Sequence, residues 1–295
     1  MTTARKRELV SVFHDREKYP VAKLCRLLGL PRSSYYRHRV EPDEQEMRGA
    51  IEMVCRQFVT YGSRRVTQEL RRAPCRLTVN RKRIQRLMGQ MGLRRTQKPQ
   101  KRRTTDSQHG FPRYPNRVAG LEVGRPDEVW VSDITYIRLG KEFVYLAVIM
   151  DVFTRAIRGW NLRRWLDRSL TVTALQRALR KGVPKIHHSD QGVQYASTAY
   201  VDLLKQHQVQ ISMSRKGSPE ENPYAERLIR TIKEEEVDLS EYRGFAEAQA
   251  QIGHFIEEVY QNKRIHSSLG YLTPREYEDA YWKVQLEQMS SLSIG

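Results

Sequence analysis

Cysteine is scarce. The 295-residue chain holds three, Cys25, Cys55 and Cys75, odd in number and widely separated. A disulfide frame is excluded, no two-residue spacing suits a zinc ribbon, and reduced, mostly buried thiols are expected. Long apolar runs are missing too. The longest covers residues 143–150, eight positions (150 − 143 + 1), whereas a membrane-spanning helix needs about 20. The opening residues, Met1-Thr2-Thr3-Ala4-Arg5, lack the apolar segment of a secretory signal. A cytoplasmic protein with no membrane partner is therefore expected. A glycine-rich loop ending in Lys-Ser/Thr is also absent, so no nucleotide-triphosphate site of that kind is predicted.

Acidic residues are scarce in one half only. Residues 1–125 hold 30 Lys+Arg against 11 Asp+Glu, a net of +19, and residues 126–295 hold 22 against 23, a net of −1, which together give the formal +18. A merely solvated basic surface would not segregate so sharply. A polyanion-binding half joined to a near-neutral half fits, with nucleic acid the expected partner. An anionic membrane would attract the same charge, but no basic helix with exposed aromatics is evident to insert into it. The remaining composition, 39% hydrophobic and 29% charged, suits a soluble globular chain.

The basic half reads as helical. Val21, Leu24, Cys25 and Leu28 recur at i, i+3, i+4 and i+7; Gly29 follows as a turn residue, and Pro31 opens a second helix. This is a helix-turn-helix pattern over residues 1–42. Its second helix offers Arg32, Ser33, Ser34, Tyr35 and Arg37 to DNA. A second helical unit is expected over 43–95, with Asn80 as a cap and Ile84, Leu87, Met88 and Met91 as its apolar stripe. Arg81, Lys82 and Arg83 lie on its opposite face, and Arg64 and Arg65, with Arg71 and Arg72, form a further basic stripe. Residues 96–126 read as a basic linker, with Lys101, Arg102 and Arg103 in a row and prolines at 99, 112, 115 and 126.

The texture changes at Asp127. Apolar runs over 129–137, 143–150 and 156–162 predict three successive strands. A helix over 170–179, a strand ending at His187, a helix over 198–206, a strand over 209–213 and helices over 222–236 and 245–260 follow. The expected fold is a mixed α/β sheet over 127–240, preceded by all-α units and followed by a helical extension over 241–295.

Three carboxylates stand out. Asp133 interrupts an apolar strand, which is costly unless the charge is paired or metal-bound. Asp190 follows a strand, and Glu226 lies in the first turn of a helix that Asn222 could cap, with Pro223 at its first position. Each has a plainer reading: Asp190 closing a turn, Glu226 complementing a helix dipole. Asp151 rivals Asp133, though its place before Val152-Phe153-Thr154-Arg155 suits a hairpin. His187 and His188 have no cysteine pair nearby, which favours packing beside Asp190 over zinc binding.

Between Asp190 and Glu226 lie 35 residues (226 − 190 − 1), and Lys233 stands seven beyond Glu226. This resembles the D,D(35)E signature of retroviral-type integrases and several insertion-sequence transposases. Ser214-Arg215-Lys216-Gly217, Tyr61-Gly62 with Arg64-Arg65, Asn80-Arg81-Lys82-Arg83, His188-Ser189-Asp190 and the stretch from Asn262-Lys263-Arg264 through His266 to Pro274 are similar to the IS-three insertion-sequence family, its second-frame (OrfB) product. The matches run from about residue 20 to 276. The resemblance implies a ribonuclease H-like catalytic core with Asp133, Asp190 and Glu226 as a metal-binding, catalytic triad holding two Mg²⁺ or Mn²⁺ ions. It implies DNA contacts at Lys233, with Arg230, Arg215 and Lys216 beside it. Its implied partners are double-stranded DNA (terminal inverted repeats and target), a homo-oligomer of at least two copies, and the first-frame (OrfA) product. The chain departs from the family at Ser218, Glu221, Asn222 and Pro223, where Asn-x-x-Asp-Asn-Ala is usual. The rival from another class is a DNA-binding regulator with a silent core, which leaves the three spaced carboxylates unexplained. A tyrosine recombinase has no Arg-His-Arg-Tyr order to support it. A nuclease that cuts without joining would share the same site.

Overall fold

The computed structural model describes residues 1–36, 44–93, 113–215 and 217–292. It divides into two compact units, Met1–Gly49 and Ala50–Gly295.

In the first unit α1 (Thr3–Glu17), α2 (Val21–Leu27) and α3 (Arg32–Tyr36) gather around Val10, Leu24, Cys25 and Leu30. The turn between α2 and α3 is the expected one, with Gly29 in the left-handed region at φ 56°. Helix α1 was not foreseen. Val10 is buried while Val12 and Phe13 are exposed, so no regular apolar stripe announces it.

Helices α4 (Gln45–Gln57), α5 (Ser63–Arg71) and α6 (Arg81–Gln90) come next. Asn80 caps α6 as expected, its Oδ1 accepting from Lys82 N at 2.8 Å. Ile84, Leu87 and Met88 are buried and Met91 is half-buried.

The α/β part is a five-stranded sheet in the order β3-β2-β1-β4-β5, from β1 (Val129–Leu139), β2 (Glu142–Asp151), β3 (Ile157–Arg163), β4 (Ile186–Ser189) and β5 (Gln210–Met213). The first three run antiparallel, and β4 and β5 join β1 in parallel. This is the ribonuclease H-like arrangement. Gly140, at φ 56°, makes the tight β1–β2 turn. The parallel pairs need crossovers, supplied by α7 (Arg168–Leu179) and by α8 (Val193–Ala196) with α9 (Thr198–Gln206). Strand β4 reaches Ser189, two residues beyond the expected end. Helix α10 (Pro223–Glu235) follows β5; then α11 (Phe245–His254) continues as a π-helical turn, Phe255–Tyr260, before α12 (Pro274–Leu292).

Because both faces of β1 and β2 are covered, their apolar runs are near-continuous rather than alternating. On one face Val129, Val131, Ile137, Val144 and Leu146 pack with Ala225, Leu228 and Ile232 of α10 and Ile252 and Ile256 beyond it. On the other, Trp130, Ala147 and Ile149 pack with Leu170, Ala174 and Leu175 of α7 and Tyr200 and Leu204 of α9.

A buried ion network ties the helical segment of residues 61–72 to the end of α10. Glu235 receives Arg264 at 2.7 Å and Arg65 at 3.2 Å, with side-chain exposures of 8%, 2% and 18%. Tyr61 Oη accepts from the Ile265 N–H at 3.0 Å. Removing one partner of a buried pair strands the other charge, at a cost of about 3–5 kcal/mol. Glu235→Ala is accordingly expected to lower unfolding stability by about that amount in urea titration; a loss below about 1 kcal/mol would place this network among ordinary surface pairs.

Candidate active site

The β1–β4 ladder ends with Val131 opposite His188. Two residues further along each chain stand Asp133 and Asp190. Continued register sets them side by side at the carboxyl end of β4, on adjoining backbone segments about 4.8 Å apart. Alternation puts Asp133 on the face of Val131, which α10 covers. Helix α10 brings Glu226 in its first turn. Ala225, Leu228 and Ile232 fix the helix in the core, while Glu226, Arg230 and Lys233, at i, i+4 and i+7, share a half-buried stripe.

Asn222 does not cap α10. Its side chain crosses to β1 instead, Nδ2 donating to the Ser132 carbonyl at 3.0 Å, and so locks the start of the helix beside Asp133. Sequence reading missed this, since a residue in capping position gives no sign of a bond 90 positions away. Gly192 was missed as well. Its N–H donates to Asp190 Oδ1 at 2.9 Å, and a Cβ there would stand 2.9 Å from that same oxygen.

The Asp133 carboxyl resists ionisation. Burial, then the neighbouring Asp190 carboxylate, and then Glu226 push its pKa up to about 8. The Ile134 N–H, which donates to Oδ1 at 2.7 Å, and the Lys233 ammonium pull the other way. Lys233 Nζ lies 4.9 Å from the Tyr136 ring centre, which holds it against β1. Asp190 and Glu226 thus both act electrostatically on Asp133. Among the described residues, however, no group of three or more His, Cys, Asp or Glu side chains is drawn together closely enough to hold a metal ion by protein contacts alone. Carboxylate oxygens are hard donors of the kind Mg²⁺ and Mn²⁺ prefer, and Mg²⁺ usually takes one or two of them together with water and substrate oxygens. The donor set fits such ions.

The neighbours are structural. Asp151 accepts from Thr154 N and Oγ1 at 2.6 and 2.7 Å and from Asp127 N at 2.8 Å, so its oxygens close the β2–β3 hairpin. His187 is buried, with Nε2 at 2.9 Å from the Tyr200 hydroxyl, and burial lowers its pKa to about 3. His188 bridges Ser212 Oγ at 2.8 Å and the Glu221 carbonyl at 3.1 Å. Both histidines pack rather than ligate.

The basic residues divide. Arg32, Ser33, Arg64, Arg81 and Lys82 are exposed, and Ser34, Tyr35 and Arg83 are half-buried. Arg65, grouped with the basic stripe in the sequence, is turned to Glu235 instead. Arg72 likewise pairs with Glu276 at 2.5 Å. Arg215 is exposed but bound to Glu221 at 2.6 Å. Arg37, Lys101, Arg102, Arg103 and Lys216 lie outside the described residues. Cys25, Cys55 and Cys75 are free thiols, and no helix among the described residues is long and apolar enough to cross a membrane.

A five-stranded mixed sheet with one carboxylate within its central strand β1 and another just past the end of the adjoining β4 defines the integrase class of catalytic core. Family models for an integrase core domain match residues 124–219 and 207–274, and an HTH-like domain matches 41–102. The chain is 34% identical over 269 residues to the insertion element IS600 uncharacterized 31 kDa protein of Shigella sonnei, covering 88% of this chain and 98% of that one. It is 35% identical to the transposase for insertion sequence element IS904 of Lactococcus lactis subsp. lactis (strain IL1403), over 74% of this chain and 87% of that one. It is 30% identical to transposase InsF for insertion sequence IS3A of Escherichia coli (strain K12), over 92% and 98%. Among solved structures, the HTLV-2 integrase catalytic core domain in complex with magnesium aligns with 52% of this chain and 97% of its own, at 17% identity and a TM-score of 0.44. The chain belongs to the IS3-type family of insertion-sequence transposases. Its activity is DNA transposition, by an enzyme of the DDE polynucleotidyl-transferase class that binds DNA.

The raised Asp133 pKa has a testable sign. Between the ordinary carboxylate value of 3.8 and about 8, the folded protein holds a proton that the unfolded chain has released. Metal-free stability should therefore fall as pH rises through that window. Asp133→Asn should flatten this part of the profile and raise the melting temperature in chelator at pH ~8. A variant with the wild-type pH profile would remove Asp133 as the titrating group.

Proposed function

We propose that Asp133, Asp190 and Glu226 are the catalytic carboxylates that hold two Mg²⁺ or Mn²⁺ ions during transposition. The observation that carries this reading is a convergence of elements: Asp133 in β1 and Asp190 just past β4, each two residues beyond the last β1–β4 pair, and Glu226 in the first turn of α10, which packs on that face. Like charges gathered in a half-buried place are unfavourable alone and favourable around a divalent cation. When bound, such ions activate the attacking hydroxyl and stabilise the leaving oxygen.

The chain's own residues have distinct tasks. Asp133 and Asp190 present their oxygens from neighbouring strands, and Asn222 and Gly192 hold that geometry. Glu226 closes the set from α10. Lys233, Arg230, Arg215 and Lys216 neutralise phosphates beside the reacting bond, and the exposed Arg32, Ser33, Arg64, Arg81 and Lys82, with Ser34, Tyr35, Arg83, Arg37 and Lys101 to Arg103, track DNA further away. Arg65 serves DNA binding indirectly, by fixing α10 through Glu235.

Two steps follow. Water attacks the phosphodiester at an element end: a phosphorus–oxygen bond forms to water, the bond to the 3′-oxygen breaks, and that oxygen leaves as a 3′-hydroxyl. The freed hydroxyl then attacks a phosphodiester of the target, forming one ester as another breaks. The number of diester bonds is conserved in this second step, so no nucleotide triphosphate is consumed. Terminal inverted repeats are the expected ends, a dimer or larger assembly the expected form, and the OrfA product the expected partner. The domain scheme that goes with this reading assigns DNA recognition to 1–42 and 43–95, a strap to 96–126, chemistry to 127–240 and support to 241–295.

A labelled element-end duplex incubated with Mg²⁺ or Mn²⁺ tests the reading. Wild type is expected to yield cut and joined strands. Asp190→Asn is expected to bind the duplex normally but to lose about 10³-fold or more in both steps, as the loss of several kcal/mol of metal assistance requires. Cutting without joining would make the protein a nuclease; equal inertness of both proteins would leave only a DNA-binding regulator.

A further inference from the structure

Beyond the triad, on the next side of α10, lies a cleft of 370 Å³ that the chemistry above does not use. Four arginines line it: Arg65, Arg155, Arg227 and Arg264. The acidic counter-charge there is Glu235, which is bound to Arg65 and Arg264. Arg155 and Arg227 have no ion-pair partner among the described residues. The excess is three positive charges (four arginines less one carboxylate).

Arg155 is the unusual member. It stands in the β2–β3 turn at φ 62°, a left-handed conformation that glycine or asparagine takes more readily. Its guanidinium lies 4.1 Å from the centre of the Tyr224 ring, and its buried Nη1 has no hydrogen-bond partner. A planar cation held by a ring, with a donor left over, is preset to receive an anion. His266 reports the same field. Burial and then the charges of Arg264, Arg65, Arg155 and Arg227 hold its pKa down to about 2, so it stays neutral and accepts from Arg264 at 3.1 Å. The Ser267 and Ser268 hydroxyls stand exposed at the rim.

We infer that this cleft is a second phosphate-binding site, which grips one backbone phosphodiester of the bound DNA through Arg155 and Arg227. Tyr224 and Arg227 flank Glu226 in α10, so the gripped phosphate lies close to the reacting one and sets the register of the strand. The DNA identity of the ligand rests on the transposase reading; the anion site itself does not.

The test is the salt dependence of binding to a labelled duplex of random sequence, for wild type, Arg155→Gly and Arg227→Gln. Each phosphate contact contributes about 0.9 to the slope of log K against log salt. Each variant is expected to lose about one unit of slope and about tenfold or more in affinity. Arg155→Gly should keep or raise the melting temperature, because glycine suits that turn. Wild-type slope and affinity in both variants would overturn the inference. So would a cleft that binds only free inorganic phosphate, seen as thermal protection of wild type that Arg155→Gly abolishes while the DNA slope stays unchanged. The triad reading fails separately: Asp190→Asn that still cuts DNA would sink it and leave the slopes untouched.

Discussion

The parallel pairing of β1 with β4 is the constraint on which the rest depends. It forces a crossover through α7, which buries the second face of the sheet, and leaves α10 to cover the first. With both faces closed, the opening for a carboxylate on β1 lies where β4 stops beside it and leaves that edge of β1 uncovered. Asp133, within β1 and opposite Val148 of β2, and Asp190, just past β4, stand there, two residues beyond the last β1–β4 pair. Burial first, and then the neighbouring Asp190 carboxylate, push the Asp133 pKa up to about 8, which is the cost of placing two acids where a divalent cation is wanted.

Around that point the structure resists relaxation. Asn222 ties the start of α10 to β1, and Glu235 ties its end to Arg264 and Arg65. The helix carrying Glu226 is therefore fixed at both ends by bonds to distant parts of the chain. Gly192 leaves just enough room for Asp190 to accept its N–H. Such support is what lets three carboxylates keep their places against mutual repulsion, and it lends physical sense to the match between the chain and insertion-sequence transposases.

Much of this was legible in the sequence. The apolar runs of β1, β2 and β3 depend on local β-branched and aromatic content, and each formed close to where it was read. The 35-residue spacing and the trailing Lys233 pointed to the family from residue identities alone. What stayed hidden was non-local. Nothing in the neighbourhood of Arg65 tells that Glu235, 170 residues away, takes its charge. Asn222 looked like a cap because caps are common at such a position, yet its partner is a carbonyl on another element. Helix α1 escaped because its apolar residues do not keep one face. Arg155 read as an ordinary turn residue, since a left-handed φ leaves no mark on an arginine.

The most direct measurement is anomalous scattering from crystals of the protein soaked in Mn²⁺, collected above the manganese edge. A peak is expected among the carboxylates of Asp133, Asp190 and Glu226, and its loss in crystals of Asp133→Asn. Manganese bound elsewhere, with that space left empty, would contradict it.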